Sequence, residues 1–319
     1  MPAPSRSAPG GGLSVGFAGH SDALLSFGFA PDAPAHCRVP CPRLAGPLAP
    51  ECWSTGVVPE AVGMAGASGW RAGALAAVQV SGDEREFGLE QATAQAYRSL
   101  LAAVRGSLHP HILRIWNYFA AINAGAGDAE RYRRFCIGRA AAVDTDFNDP
   151  PPAATAIGCP GEPGRLQVIA LCSDRPGIAL ENPRQTPAWQ YPREYGPVPP
   201  GFSRGALVGQ GDRMRLLASG TASIVGHVSQ HPGDPAAQLA ESVANLSALL
   251  AEGAARAGVA FEPSGCEALR VYLRREEDLA AATAVIAASG LPPDRVLYLR
   301  GDICRRELLV ELEGVFAPA

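Results

Sequence analysis

The chain has 319 residues, 47% of them hydrophobic and 18% charged, with a formal net charge of −4. That composition fits a folded protein with room for one large domain or two smaller ones, and it excludes a disordered chain. It gives no global basic field for nucleic acid, and no apolar run approaches the ~20 residues of a membrane-spanning helix.

Residues 1–13 are rich in Pro, Ala, Ser and Gly and lack the basic-then-apolar pattern of a signal peptide. They read as a disordered tail, and the protein as cytoplasmic. Residues 14–82 carry no motif and are expected to supply strands that complete a first folded unit. Within them, Cys37 and Cys41 have zinc-like spacing, but no second close pair follows. The eight cysteines are spread along the chain without a dense framework, which points to reduced thiols. His109 and His111 lack a third ligand, and no Gly-rich nucleotide loop is present. No metal or cofactor is expected.

From residue 90 a helical pattern begins. Ala92, Ala96, Leu100, Leu101 and Val104 recur at helical spacing over residues 90–105. A strand-like run follows at 112–118, then a helix over 130–140 and a strand at 166–171. Residues 182–204 are Pro-rich, and composition alone would make them a linker. They also hold Trp189, Tyr191, Arg193, Tyr195 and Arg204, which are costly in a pure linker. The stretch therefore reads as an ordered loop over a site.

The same pattern then returns. A helix over 236–251 is striped by Leu239, Val243, Leu246 and Leu250; a strand covers 268–273, a helix 277–289 and a strand 308–313. Leu113-Arg114 matches Leu269-Arg270, and 166–171 matches 308–313. This is an internal duplication of one α+β unit. The expected division is a tail at 1–13, an N-terminal unit at 14–205 with its Pro-rich loop, and a C-terminal unit at 206–319.

Four places could carry chemistry. Tyr132 and Arg139 lie seven apart, on one face of the predicted helix. Such a pair can hold a carboxylate by guanidinium and phenol, and it equally fits a solvated basic face with Tyr132 in the core. The stretch 218–227 is dense in small residues, with Thr221 and Ser223 offering hydroxyls; a turn or bulge is the plainer account. Cys304, in the loop before the last strand, reads as a small buried hydrophobe in the absence of a histidine partner. On that strand Leu309, Glu311 and Glu313 share a face. An outer face would leave both glutamates in water. A face covered by the other unit would desolvate them and raise a carboxyl pKa toward neutrality, as a general acid needs.

The C-terminal half, from about residue 213 to 315, resembles the RidA/YjgF family through Ser219-Gly-Thr-Ala-Ser, the helix at 239–250, Leu269-Arg-Val-Tyr-Leu and the terminal Leu-Leu-Val-Glu-Leu-Glu-Gly. The whole chain from about residue 85 resembles the chorismatases. The carrying motifs are Arg133-Arg-Phe-Cys-Ile-Gly-Arg139, Ala154-Thr-Ala-Ile-Gly158, the run 181–191, Phe202-Ser-Arg204 and Ser219-Gly-Thr-Ala-Ser-Ile. The likeness implies an α+β fold of duplicated RidA/YjgF-like (chorismate-mutase-like) units. Mixed sheets would carry helices on one face, around a barrel-like core, in a monomer or a homotrimer. It implies an enzyme that removes pyruvate from chorismate, with Tyr132, Arg139, Tyr191 and Arg204 on the substrate and Glu311 as the acid. Tyr195 or Arg193 could replace Tyr191 or Arg204. Cys304 and Ala222 occupy positions that vary between branches of the family. Cysteine at 304 points to 3-hydroxybenzoate as product; alanine at 222 leaves a 4-hydroxybenzoate co-product open. The alternatives are a hydrolase forming a dihydroxycyclohexadiene carboxylate, an imine deaminase like the small RidA proteins, and a non-catalytic sensor.

Overall fold

The order of strands repeats along the chain. The computed structural model describes residues 12–19, 22–30, 34–64 and 66–319, so the expected tail lies almost wholly outside the described residues. Five short strands come first: β1 (Ser14–Phe17), β2 (Leu25–Gly28), β3 (Cys37–Arg38), β4 (Arg43–Ala45) and β5 (Glu51–Ser54). The next stretch holds β6 (Glu60–Met64), β7 (Ala67–Ala72), β8 (Leu75–Asp83), α1 (Glu84–Arg105), β9 (His111–Ala120), α2 (Arg131–Ala140), α3 (Thr145–Asn148), β10 (Ala153–Cys159) and β11 (Arg165–Ser173). Its six strands form a sheet in the order β10-β9-β11-β8-β7-β6.

The last stretch holds β12 (Ile178–Leu180), β13 (Gly205–Val208), β14 (Arg215–Ala222), a small hairpin of β15 (Ile224–Val225) and β16 (Val228–Ser229), α4 (Pro235–Ala257), β17 (Phe261–Leu273), α5 (Leu279–Ala287), β18 (Val296–Arg300) and β19 (Val310–Pro318). Its sheet runs β18-β17-β19-β14-β13-β12, the same order as the first, with β4 added beside β18. In each unit one pair alone is parallel, β9 with β10 and β17 with β18. In each, a long helix and a shorter one are the connections that sequence periodicity anticipated. Arg114 lies opposite Leu171, and Arg270 lies opposite Glu313, so the register of the duplication is fixed.

The elements begin and end where local chemistry dictates. Asp234 caps α4 by accepting from the Ala237 N–H, Pro235 opens its first turn, and Gly258 at φ 71° ends it in the left-handed region. Asp83 caps α1 in the same way, and the helix starts earlier than the periodic stripe because Gly88, at φ 72°, bends the chain between two helical stretches. Helix α5 is shorter than expected, since residues 276–278 form a 3-10 turn instead.

Residues 14–82 do more than complete the first unit. Strands β6–β8 join the six-stranded sheet, but β4 extends the second sheet, and β1, β5, β2 and β3 make a separate four-stranded sheet. That small sheet gives Leu25, Phe27 and Trp53 to a central apolar cluster shared with Trp116, Ile169, Leu217 and Tyr272 of the larger sheets. Two further clusters lie between each large sheet and its helices. The barrel-like core of the expectation is not a closed barrel: among the described residues every sheet is open. Facing sheets and the covering third sheet bury the apolar surface that closure would otherwise hide. No helix of the described residues is long and apolar enough to cross a membrane.

A buried ionic hub pins the three sheets together. Arg270 reaches Glu51 on the small sheet through two bonds of 2.7 Å and Glu313 on its own sheet at 3.0 Å. Arg114, from the other unit, also binds Glu313. The Tyr272 hydroxyl donates to Glu313 at 2.7 Å, and Arg270 donates to the Tyr118 hydroxyl at 2.8 Å. The four charged residues are each at most 3% exposed. Charges buried so deeply persist only when paired and hydrogen-bonded, as these are.

Candidate active site

Where the two units meet, a cavity of about 500 Å³ opens, a size suited to a small organic ligand. The first unit contributes α2, β9 and β10; the second contributes β14, the start of β19 and the loop before it. The Pro-rich segment forms part of its wall. It is ordered: Asn182 donates to Asn245 O, Gln185 bridges to Gly226, and Ser203 bridges to Ala153. From it Tyr191, Tyr195, Phe202 and Arg204 line the cavity.

Glu311 lies at the floor, 4% exposed. Among the described residues its carboxyl makes no hydrogen bond and no ion pair. Burial, and then the charge of Glu313, push its pKa up from 4.5 to about 8, against the opposing pull of Arg114 and Arg204. Its neighbour behaves oppositely. Burial would raise Glu313 too, but Arg114, Arg270, Thr155 and Tyr272 hold it below its ordinary value. Two carboxyls two residues apart are thus driven to different protonation states, one neutral and one ionised. The solvated alternative for this strand face is corrected: the first unit covers it.

Gly220 explains how close the floor is packed. A Cβ there would sit 2.2 Å from Glu311 Oε1. Ala222, 4% exposed, pairs across the strand with Glu311 and faces the cavity. Thr221 points the other way and donates to Ser219 O, while Ser223 donates to Gln230 O. The side chains lining the site from this stretch are therefore Ala222 and Ile224 rather than the hydroxyls. The register slips between Ala218 and Thr221, a bulge that turns these positions toward the site.

Three guanidiniums face the cavity without a carboxylate partner among the described residues. Arg139 stacks over Tyr97 and Phe147 at 5.7 and 5.5 Å, with its Nε buried and unbonded. Arg204 is held by Thr186 O and the Tyr191 hydroxyl at 2.9 and 2.8 Å, again with a buried, unbonded Nε. Arg305 lies 3.8 Å over the Tyr195 ring and donates to His227 O and Ser229 Oγ. Its Nη2 is buried and unbonded. Buried donors left open in this way are what an anionic ligand would satisfy. Tyr132 lines the same wall as Arg139. Burial pushes its hydroxyl well above the usual range, so it remains a neutral donor.

All seven residues singled out from sequence (Tyr132, Arg139, Tyr191, Arg204, Ala222, Cys304 and Glu311) line this one cavity. Of the alternates, Tyr195 lines it too. Arg193 does not: it is 64% exposed and paired with Asp128. Sequence reasoning missed Arg305 and Thr155. Thr155 Oγ1 donates to Glu313 Oε2 at 2.5 Å and accepts from the Gly220 N–H at 2.9 Å, tying the ionic hub to the cavity floor. It lies inside the motif 154–158, which could have flagged it; nothing in periodicity marks Arg305. Cys304 is a neutral thiol, its pKa pushed to about 12 by burial and by Glu311. That removes it as a nucleophile. Cys37 donates to Gln79 and Cys41 abuts Cys159. Among the described residues no three potential metal ligands cluster.

A desolvated carboxylic acid surrounded by open guanidiniums defines an acid–base enzyme for a small anionic substrate. The family model "Chorismatase FkbO/Hyg5-like, N-terminal" matches residues 51–172. A chorismatase of Streptomyces hygroscopicus is 39% identical over 234 residues, 71% of this chain and 67% of that one. A 3-hydroxybenzoate synthase of the same organism is 36% identical over 236 residues, 70% and 69% of the two chains. The crystal structure of a chorismatase superposes with a TM-score of 0.80 at 30% identity, covering 98% of this chain and all of the other. The chain belongs to the chorismatase family.

Proposed function

We propose that this enzyme converts chorismate into pyruvate and 3-hydroxybenzoate, with Glu311 as the proton donor. The observation that carries the reading is Glu311 itself: a carboxyl that burial pushes up to about 8, unpaired among the described residues, at the floor of a cavity lined by Arg139, Arg204 and Arg305. Chorismate carries two carboxylates, which Arg139 with Tyr132, and Arg204 with Arg305, would hold. Both units of one chain build the cavity, which supports a site complete within a monomer.

The neutral Glu311 protonates the terminal methylene carbon of the enolpyruvyl ether. The alkene pair forms the new C–H bond, and an oxocarbenium results beside the carboxylate that Glu311 has become, which stabilises it. The ring hydroxyl next to the ether then adds to that carbon, releasing its proton. Loss of a ring proton, with cleavage of the ring carbon–oxygen bond formerly carrying that hydroxyl, aromatises the ring. The hemiketal left behind collapses to pyruvate and 3-hydroxybenzoate. No water is consumed overall, whereas the hydrolytic route to the diol takes up one. Cys304, neutral and packed against the central cluster, crowds the space from which water would attack.

Incubating the protein with chorismate and following pyruvate with a coupled dehydrogenase tests the reading, with chromatography of the ring product. Stoichiometric pyruvate and 3-hydroxybenzoate are expected. Absence of pyruvate would refute it.

A further inference from the structure

Cys304 sits on a stretch of chain with no regular structure of its own. Residues 303–309, between β18 and β19, lie outside helix and strand. A cysteine side chain turns about one heavy-atom torsion, so the place of its sulfur follows the backbone that carries it. Side chains from both units hold that backbone. Arg274, just after β17, wraps the loop. Its Nε donates to Leu308 O at 2.8 Å, its Nη2 to Ile303 O and Arg305 O at 3.0 Å each, and its Nη1 to Asp302 Oδ1 at 3.2 Å. Asn123, in the turn after β9 of the first unit, donates through Nδ2 to Cys304 O at 3.2 Å. The carbonyls of residues 303, 304 and 305 are thus each taken by a side chain.

The loop is docked against the first unit as well as clasped. Asp302 and Gly158 exchange backbone hydrogen bonds of 2.7 and 2.8 Å. A Cβ on Gly158 would lie 2.4 Å from Ile122 Cγ2 and 2.9 Å from Asp302 Cβ, so glycine is what lets the two stretches approach. Past Asp302 the chain turns to the active-site cavity, which Cys304 and Arg305 line. Neither Arg274 nor Asn123 is among the lining residues, so whatever they do for the reaction they do through the loop. A guanidinium suits the task because its five donors are fixed in one planar fork, whereas an ammonium is a single point of charge.

We propose that Arg274 and Asn123 are positioning residues for product choice: they fix the backbone of Cys304 so that its sulfur fills the room water would need at the cationic carbon. The proposal rests on the reading of Cys304 as the group that excludes water. Loosening the clasp shifts the sulfur and admits water, while the proton donor on β19 stays where it is.

Chromatography of the ring products, compared at equal pyruvate released, tests this on wild type, Arg274→Lys, Asn123→Ala, Cys304→Ala and each of the first two combined with Cys304→Ala. The ratio of diol to 3-hydroxybenzoate is set within each turnover, so a loss of folded protein lowers the yield and leaves the ratio alone. One small group in a pocket is worth about 10–200-fold in discrimination, and displacing it should be worth at least about threefold. Arg274→Lys and Asn123→Ala are each expected to raise the ratio by that much. Once Cys304 is replaced they should add nothing, because residues that act through one another are not additive. Asn123→Ala removes a single bond and decides the matter by itself if Arg274→Lys does not fold. An unchanged ratio in either folded single variant, or an equal rise on the Cys304→Ala background, overturns the proposal. An unchanged ratio in Cys304→Ala removes the reading of Cys304 and the proposal with it, whereas a shift in Cys304→Ala alone overturns the clasp and spares that reading.

Discussion

The two units share strand order, helix placement and register, and they differ where the last strand meets the interior. In the first unit β11 carries Ile169 and Leu171; in the second, β19 carries Glu311 and Glu313 at the equivalent positions. The arginines opposite that strand, Arg114 and Arg270, are present in both. Both serve the one Glu313. One unit thus provides apolar backing and a cation, while the other provides the acids. The difference teaches how a duplicated fold makes an asymmetric site: burial keeps Glu311 protonated, and the charge of Glu313, held ionised by arginines from both units, adds to that effect.

Replacing Glu311 should break that asymmetry most severely. Glu311→Gln keeps the shape and removes the proton, and loss of a general acid costs about 10²–10⁴-fold in turnover. Pyruvate release under saturating chorismate measures it. In wild type, turnover should fall as pH rises through about 8, where Glu311 ionises. Stability should move the same way. The folded state holds this proton above 4.5, where the unfolded chain releases it, so the contribution of Glu311 to stability declines from about pH 4.5 to 8. Denaturant titration of Glu311→Gln should show that decline reduced. An unchanged pH dependence would mean that Glu311 is not held neutral.

Glu313→Gln tests the other half. It leaves Arg114 and Arg270 facing an uncharged amide in the interior, and breaking a buried pair costs about 3–5 kcal/mol. The pH at which activity is lost should also move down, because the negative charge that helps keep Glu311 protonated is gone. A merely structural role would lower stability and leave the pH profile where it was.

Much of this was legible in sequence because it is periodic or repeated. The helical stripes, the strands and the register of the duplication follow from apolar spacing, and Glu311 follows from alternation once a second unit exists to cover it. The rest depends on contacts between residues far apart in the chain. Glu51 meets Arg270 across 219 positions, and no local pattern announces that. Residues 14–82 defeated sequence reading for the same reason, since their short strands are divided among three sheets. Arg305 was missed because a loop arginine beside an exposed charged run looks like surface until Tyr195 is seen beneath it.

Arg204→Lys should have a smaller effect than either glutamate change. The lysine keeps the charge and loses the fork that binds Thr186 O and the Tyr191 hydroxyl while reaching into the cavity. A loss of about 1.5–3 kcal/mol in kcat/KM is expected, the worth of a charged hydrogen bond. It should fall mainly on KM if Arg204 holds a carboxylate equally in ground and transition states.

The finest adjustment of the comparison lies at Cys304, in the loop between β18 and β19 of the second unit. Cys304→Ala removes a sulfur atom beside Glu311 and opens room for one water at the cationic carbon. Acid strength and carboxylate binding are untouched, so pyruvate should be released at nearly the wild-type rate. What should change is the competition after protonation. Internal attack by the ring hydroxyl leads to 3-hydroxybenzoate, and attack by water leads to the diol. A single small group in a pocket discriminates by about 1–3 kcal/mol, enough to turn a minor diol fraction into a major one. Chromatography of the ring products from both proteins reads this directly. An unchanged product ratio would show that the ring hydroxyl, rather than the thiol, keeps water out.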